Sequence, residues 1–409
     1  MSLTNQQIEL IQATVPVLKE HGAELTAYFY NRMLTNNPEL KETFNMGHQR
    51  SGAQARSLAG AVLAYAENIT SLENLGDAVS LIAHKHVSLN IQPEQYDIVG
   101  DNLLHSISEV LNVPMDADLI HAWAAAYQQL ATILIDVERD LYGKQVQAEN
   151  GWTGWKPFKI AKKEAESSEI TSFYLTPMDG HALPAYRPGQ YISVRVNVPE
   201  LGLHQPRQYT LSDHSNGQYF RISVKKEAGH DGLADGYVSN TLHQQYQVGD
   251  IVEVSNPTGD FVLLNPNKDN VFISAGVGLT PMVAMLNELL AQQSKHQISF
   301  IHACRNSQVL AMHNHIQTIA AQHPNIHTYL ACETEDPQLP ADRIGRLDLT
   351  ALDADLLPRE ADYYVCGPKP FMLHSANHYD TWAFLRKTFT WNYLIQAALL
   401  TLSKPRRLN

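Results

Sequence analysis

Residues 271–282 read Val-Phe-Ile-Ser-Ala-Gly-Val-Gly-Leu-Thr-Pro-Met, and this stretch decides the architecture around it. A short apolar run leads into Gly276-Val277-Gly278, and Leu279-Thr280-Pro281 opens a helical pattern. Glycines let the backbone turn sharply and approach a diphosphate, whose charge is met by free N–H groups at the helix start. Pro281 suits a first helical turn because its missing N–H would have no partner there. The context predicts nucleotide binding at Gly276, Val277, Gly278, Leu279, Thr280 and Pro281. Downstream, ISFIHA (298–303), IHTYLA (326–331) and DYYVC (362–366) continue as strands with helical segments between them. That rhythm predicts an α/β parallel-sheet domain. Cys366-Gly367-Pro368 closes the last of these strands at the carboxyl edge, where such sheets hold ligands.

Upstream, from Gly151 to about 265, the period becomes two, as where Ile192, Val194, Val196 and Val198 share one face. Short strands are expected at 158–164, 170–176, 190–198, 207–213, 219–226 and 251–255, separated by turn residues, which predicts a small antiparallel β-barrel. Within it, Arg207-Gln208-Tyr209-Thr210 offers a cation for a diphosphate, a ring for a flat cofactor and a hydroxyl for its polar edge. Gly236-Tyr237-Val238-Ser239 precedes a helix. Residues 1–147 read as all-α, with helices expected at 5–20, 23–35, 48–68, 76–88, 93–111 and 116–142. In the last, Leu119, Trp123, Ala126, Tyr127, Leu130, Ile133, Leu134, Val137 and Leu141 recur at helical spacing, and Asp116 or Asp118 is the expected cap.

The composition is that of a folded multidomain protein: 409 residues, 44% hydrophobic and 18% charged. A net charge of −12 argues against nucleic acid as the main partner. No basic-then-apolar leader and no apolar run of about 18–20 residues is present, so a cytoplasmic protein without a membrane span is expected. Cys304, Cys332 and Cys366 lack CxxC spacing, which argues against a disulfide scaffold and a four-cysteine zinc site.

The Arg-Gln-Tyr-Thr strand followed by the GVGLTP turn resembles the ferredoxin–NADP reductase family over about 155–377. A helical domain ahead of such a reductase needs an electron acceptor. With no cysteine before 304, a histidine-ligated haem stays open, with His21, His48, His84, His86, His105 and His121 as candidates. The segments AYFYNRML (27–34), NNPELKETFNM (36–46) and LIAHKHVSLNIQPEQYDIVG (81–100) resemble the flavohaemoglobins. The order of globin, FAD barrel and NAD(P) domain is that family's architecture.

The resemblance implies a globin at 1–147, an FAD barrel at 152–265 and an NAD(P) domain at 270–377. It implies His86 as the proximal iron ligand, with Tyr96 and Glu138 hydrogen-bonding behind it. Tyr30 and Gln54 would face bound O2, Phe44 and Leu58 would line the apolar side, and Lys85 would influence the flavin-to-haem path. His84 reads as a non-ligating neighbour. Tyr191, Arg207, Gln208, Tyr209, Thr210, Val238 and Ser239 would hold FAD; residues 276–281 and Cys366, Gly367 and Pro368 would hold the nicotinamide nucleotide. The implied cofactors are haem b, FAD and NADH or NADPH, with Arg305 the one feature pointing to a 2′-phosphate. The implied activity is nitric oxide detoxification, the NAD(P)H-driven dioxygenation of nitric oxide to nitrate by a nitric oxide dioxygenase expected to be monomeric. Two other readings are a haem-based O2/NO-binding protein with an impaired reductase, and a flavin reductase with an unrelated helical domain.

After FMLHSAN (371–377) the resemblance stops. The family closes with a strand and Glu-x-Phe-Gly-Pro, whereas residues 378–409 carry five Lys or Arg and one acid, +4 on a body of −16. A frameshifted end is expected, with loss of a central-sheet strand; a divergent tail and an amphipathic membrane contact at Trp391–Leu402 are the alternatives.

Overall fold

Chain breakers and caps set the helices of the first third. The computed structural model describes residues 3–229, 234–379 and 389–391. The helices are α1 (Asn5–Ala13), α2 (Val15–Asn36), α3 (Met46–Arg50), α4 (Ala53–Glu67), α5 (Gly76–Ser88), α6 (Pro93–Leu111) and α7 (Asp118–Gln147). The break expected near residue 21 falls instead at Thr14. Pro16 opens α2 in its first turn, and the Thr14 hydroxyl donates to the Ile11 carbonyl at 2.6 Å, closing α1. The helix expected over 48–68 is divided at Gly52, whose φ of +69° ends α3 and admits α4. Neither Asp116 nor Asp118 caps α7: Ala117 is the N-cap, and Asp118 places its charge in the first turn at the positive helix end. Phe29, Met33, Tyr65, Trp123 and Ala126 form the centre of the helical core. Burying each of the larger ones contributes roughly 1.5–3 kcal/mol.

The middle third forms β1 (Lys156–Ala165), β2 (Ile170–Pro177), β3 (Tyr191–Val198), β4 (Leu203–Thr210), β5 (Phe220–Lys225) and β6 (Ile251–Val254), with α8 (Tyr237–Gln244) between the last two. The sheet runs β4-β3-β6-β1-β2-β5, with every pairing antiparallel. An antiparallel bridge between Leu211 and Ile222 brings its two ends together as a barrel. Ile192, Val194, Val196 and Val198 all face the barrel core, as their alternation predicts.

The last third alternates β7 (Asn270–Ala275), α9 (Leu279–Ala291), β8 (Ile298–Cys304), α10 (His313–Gln322), β9 (Ile326–Cys332), β10 (Arg343–Ile344), β11 (Asp362–Cys366), α11 (Lys369–Tyr379) and β12 (Phe389–Trp391). The sheet order is β10-β9-β8-β7-β11-β12, all parallel. Two residues are too few for β10 to leave a periodic signal. The sequence expectation that the sheet loses the strand beyond β11 is corrected: Phe389, Thr390 and Trp391 pair in parallel with Tyr363, Tyr364 and Val365. Two aromatic residues around a Thr suit a pleated backbone, and α11 supplies the crossover a parallel pair requires. Residues 380–388 and 392–409, and with them the frameshift and membrane-contact readings of the tail, lie outside the described residues. Among the described residues no helix is long and apolar enough to cross a membrane.

Barrel and parallel sheet share a core, in which Ile170, Phe261 and Leu263 pack with Phe272, Leu279, Met282 and Tyr364.

Candidate functional site

Helix α5 places His86 two residues before its end. Its Nδ1 lies 2.8 Å from Glu138 Oε1 on α7 and 2.9 Å from the Tyr96 hydroxyl on α6. Tyr96 donates to the same carboxylate oxygen at 2.5 Å. Glu138 is 3% exposed in the middle of an otherwise apolar stripe, so its charge requires these two donors. An anionic acceptor at Nδ1 assigns the ring proton to that nitrogen and leaves Nε2 with a lone pair. The imidazole side chain is 30% exposed although its Nδ1 edge faces a buried acid, so Nε2 is the accessible edge. Burial and then the neighbouring carboxylate raise the Tyr96 pKa, keeping the phenol a donor. Tyr127 supports this group by donating to the Tyr96 carbonyl at 2.6 Å, and the close approach depends on Gly100, where a Cβ would stand 2.5 Å from the Tyr127 ring.

On α2, Tyr30 is buried, and burial pushes its pKa up to about 12 while a hydrogen bond with Gln54 holds the shift back. Phe44 meets the Tyr30 ring edge-on, with centroids 5.7 Å apart. Leu58 packs half-buried against the same core. His21 lies beside Glu20 and Glu24, and His105 hydrogen-bonds within α6, so both are engaged locally. An accessible imidazole nitrogen backed by a carboxylate, with apolar walls and a phenol, fits a haem ligated through His86.

The opposite face of α5 meets the barrel. In the β3–β4 ladder, Tyr191 pairs with Thr210 and Ser193 with Gln208, so these four side chains share one side. Arg207 and Tyr209 alternate to the other side. Along this strand Arg207 and Tyr209 thus share one side, and Gln208 and Thr210 the other. Burial pushes Arg207 down to about 10; burial and then the Arg207 charge lower the pKa of Lys85. Neither cation has a carboxylate partner among the described residues. Two desolvated cations without an anion are costly unless an anionic ligand completes the site, which fits the diphosphate of FAD. At Tyr237 the start of α8 has no side-chain cap, leaving free N–H groups that also suit an anion. Ser239 lies in its first turn and donates to the Gly236 carbonyl at 3.2 Å. The Val238 side chain belongs to the barrel core, leaving only its backbone for a ligand.

In the parallel sheet, β7 and β11 are neighbours, and their carboxyl ends carry Gly276–Gly278 and Cys366–Pro368. Gly276 turns the chain with φ +53°. Gly278 also makes a close loop contact: a Cβ there would lie 2.3 Å from the Cys366 carbonyl oxygen. Its missing side chain lets the two loops close on each other. The side chains of Leu279 and Pro281 are buried, while the Thr280 hydroxyl donates to the Val277 carbonyl at 3.1 Å. Arg305, the one residue in the sequence that pointed to a 2′-phosphate, pairs with Glu169 of the barrel at 2.5 Å.

The α5–barrel seam joins polar side chains that lie outside the expected site. Ser80 donates to Asp260 at 2.7 Å, His84 Nδ1 lies 2.5 Å from the Thr258 hydroxyl and accepts from the Gly259 N–H at 3.1 Å, and Ser193 donates to Ser88 at 2.9 Å. The four-residue spacing of Ser80, His84 and Ser88 was the available signal.

Three family models match consecutive parts of the chain: Globin at 27–134, Oxidoreductase FAD-binding domain at 157–263 and Oxidoreductase NAD-binding domain at 272–377. The flavohemoprotein of Bordetella pertussis is 53% identical over 370 residues, covering 89% of this chain and 91% of that protein. That of Chromobacterium violaceum is 50% identical, covering 90% of this chain and 93% of the relative. A crystal structure of flavohemoglobin from Malassezia yamatoensis with bound FAD and heme is 30% identical, with a TM-score of 0.83, covering 96% of this chain and 99% of that one. The FAD/NAD binding domain of the nitric oxide dioxygenase from Vibrio cholerae aligns at 34% identity and a TM-score of 0.53, covering 58% of this chain and 97% of the other. Globin, barrel and parallel sheet in one order, shared with relatives across nine-tenths of the length, make this chain a member of the flavohemoprotein family.

Proposed function

We propose that the chain is a nitric oxide dioxygenase with a globin at 1–147, an FAD barrel at 152–265 and an NAD(P) domain at 270–377. When bound, FAD supplies the change from hydride to single-electron transfer, and haem iron supplies the place where O2 and nitric oxide meet. The observation that carries this reading is the position of α5, with His86 and its Glu138–Tyr96 pair on one face and the flavin strands on the other.

The residues have separable tasks. Glu138 holds the Nδ1 proton of His86, which makes Nε2 a stronger donor to iron. Tyr30 stays protonated at all physiological pH values, so its hydroxyl is available as a donor to a ligand in the pocket, with Gln54 orienting it. Phe44 and Leu58 exclude water from the same side. Lys85 and Arg207 take the charge of the flavin diphosphate, and Tyr209 and Thr210 supply a ring and a hydroxyl. The loops at 276–281 and 366–368 form the crevice for NADH or NADPH at the carboxyl ends of β7 and β11.

The test is anaerobic. The full chain is supplied with haem and FAD, and the visible spectrum is followed after NADH is added. Conversion of the Soret band to the ferrous form within seconds, followed by nitric oxide consumption with nitrate formation once oxygen is admitted, is the expected result. Haem that only dithionite reduces would favour an O2/NO-binding protein, and a chain that takes up no haem would refute both.

A further inference from the structure

Ser80, His84 and Ser88 are four residues apart on α5, so one side of the helix presents all three, and two residues of helical rotation put His86 on the other side. Each of the three meets a different part of the barrel. Ser80 holds Asp260, His84 accepts from Thr258 and Gly259, and Ser88 accepts from Ser193. Ser88 and Ser193 are both fully buried, so water does not compete for their bond. Gly259 has φ +111°, and a Cβ there would stand 2.9 Å from the Tyr191 ring, so this loop is fitted closely against the flavin strand. Beyond Ser193 the bonding continues in one direction. The Gln208 amide donates to Ser193 at 3.1 Å, Ser193 donates to Ser88 at 2.9 Å, and Ser88 donates to the Lys85 carbonyl at 2.8 Å. A chain of three hydrogen bonds thus joins an expected flavin-binding residue to the peptide unit that leads into His86.

We propose that Ser80, His84 and Ser88 are positioning residues that register the proximal helix on the flavin barrel, and that the Gln208–Ser193–Ser88–Lys85 chain fixes the distance and angle between flavin and haem. This rests on the function proposed above. One electron leaves the reduced flavin and one arrives at the ferric haem. No bond is made or broken in that step, so the protein contributes placement. Cooperative bonds in a chain whose central link is buried restrict both partners together, and small displacements of a reacting pair are expensive in rate.

The experiment uses the full-length chain with haem and FAD under anaerobic stopped flow, reading flavin bleaching and haem reduction separately after NADH is mixed in. S193A, S88A and H84A are expected to leave flavin bleaching unchanged and to slow haem reduction by roughly ten- to a hundredfold. H84Q, which keeps an acceptor for the Gly259 N–H, is expected to recover most of the loss. A second readout needs no turnover: amide hydrogen exchange at 258–260 should accelerate in H84A and return in H84Q. Haem reduction at the parent rate in S193A and S88A, or a loss in step with flavin bleaching, would overturn the proposal. If the parent chain takes up no haem, the functional reading fails, and the exchange measurement still decides whether His84 holds the barrel loop.

Discussion

Replacing Glu138 by glutamine removes one negative charge and almost no volume. Its Oε1 accepts from His86 at 2.8 Å and from Tyr96 at 2.5 Å, and the side chain is 4% exposed. Hydrogen bonds to a buried charged acceptor contribute about 1.5–3 kcal/mol each, against about 0.5–1.5 kcal/mol for neutral ones. Two bonds weakened by about 1 kcal/mol each predict a loss of roughly 2 kcal/mol, or about 4–8 °C in the unfolding midpoint of a domain this size. Calorimetry of the chain without added haem measures that directly. The same change leaves His86 a poorer electron donor, so haem affinity should fall about tenfold or more, and the iron–histidine stretch in the ferrous Raman spectrum should move to lower frequency. Haem titration and Raman spectroscopy read these apart from stability. An E138Q protein with a lowered midpoint and an unmoved iron–histidine band would refute the assignment of Glu138 as the acid behind the ligand, leaving it a structural carboxylate.

Tyr30→Phe should raise the O2 dissociation rate about tenfold, the equivalent of one lost hydrogen bond of about 1.4 kcal/mol. Because burial pushes Tyr30 up to about 12, the parent rate measured by stopped flow should stay flat between about pH 6 and 10. Gly278→Ala would set a methyl group 2.3 Å from the Cys366 carbonyl oxygen. It should cost about 1–3 kcal/mol and weaken NADH-driven flavin bleaching while the haem spectrum is unchanged, as melting curves and bleaching titrations would show. His302 is buried against the Ser274 hydroxyl at 2.9 Å, and burial, with His313 nearby, pushes its pKa down to about 4. The unfolded chain therefore binds the proton that the folded one refuses. Stability contributed above about pH 6.5 is lost as pH falls toward 4, by up to roughly 3 kcal/mol. H302N should flatten that part of the melting-temperature profile.

What the sequence carried was strongest where a local pattern and a physical need coincide. Strand, glycine turn and helix at 271–282 were legible because each feature is confined to a few residues. The helix break at Thr14 was not, because Ala13-Thr14 continues the apolar periodicity and only Pro16 marks the new start. Glu138 is a carboxylate among Leu134, Val137 and Leu141, and such an interruption of a buried stripe signals a bonded charge without naming its partners. Tyr96 and His86 stand 42 and 52 positions away from it, and the family resemblance supplied what spacing did not. Ser88 and Ser193 are separated by 105 positions, and two serines carry no chemistry that would single them out. Arg207 through Thr210 are adjacent in sequence, yet alternation along the strand sends neighbours to opposite sides, which the motif alone does not display.

The two seams of the molecule differ in kind. The barrel and the parallel sheet are joined through oil, with Phe261 and Leu263 sunk among residues of the neighbouring sheet, and neither could be withdrawn without exposing that surface. Among the described residues, no buried apolar cluster mixes the helical third with the barrel; hydrogen bonds across that seam run between hydroxyls, an imidazole, a guanidinium, amides and carboxylates. Polar groups of this kind can return to water when the contact opens. The helical third is thus held to the barrel by separable polar contacts from α5, α3 and the segment before α3, a joint that can part and re-form where the oily one cannot.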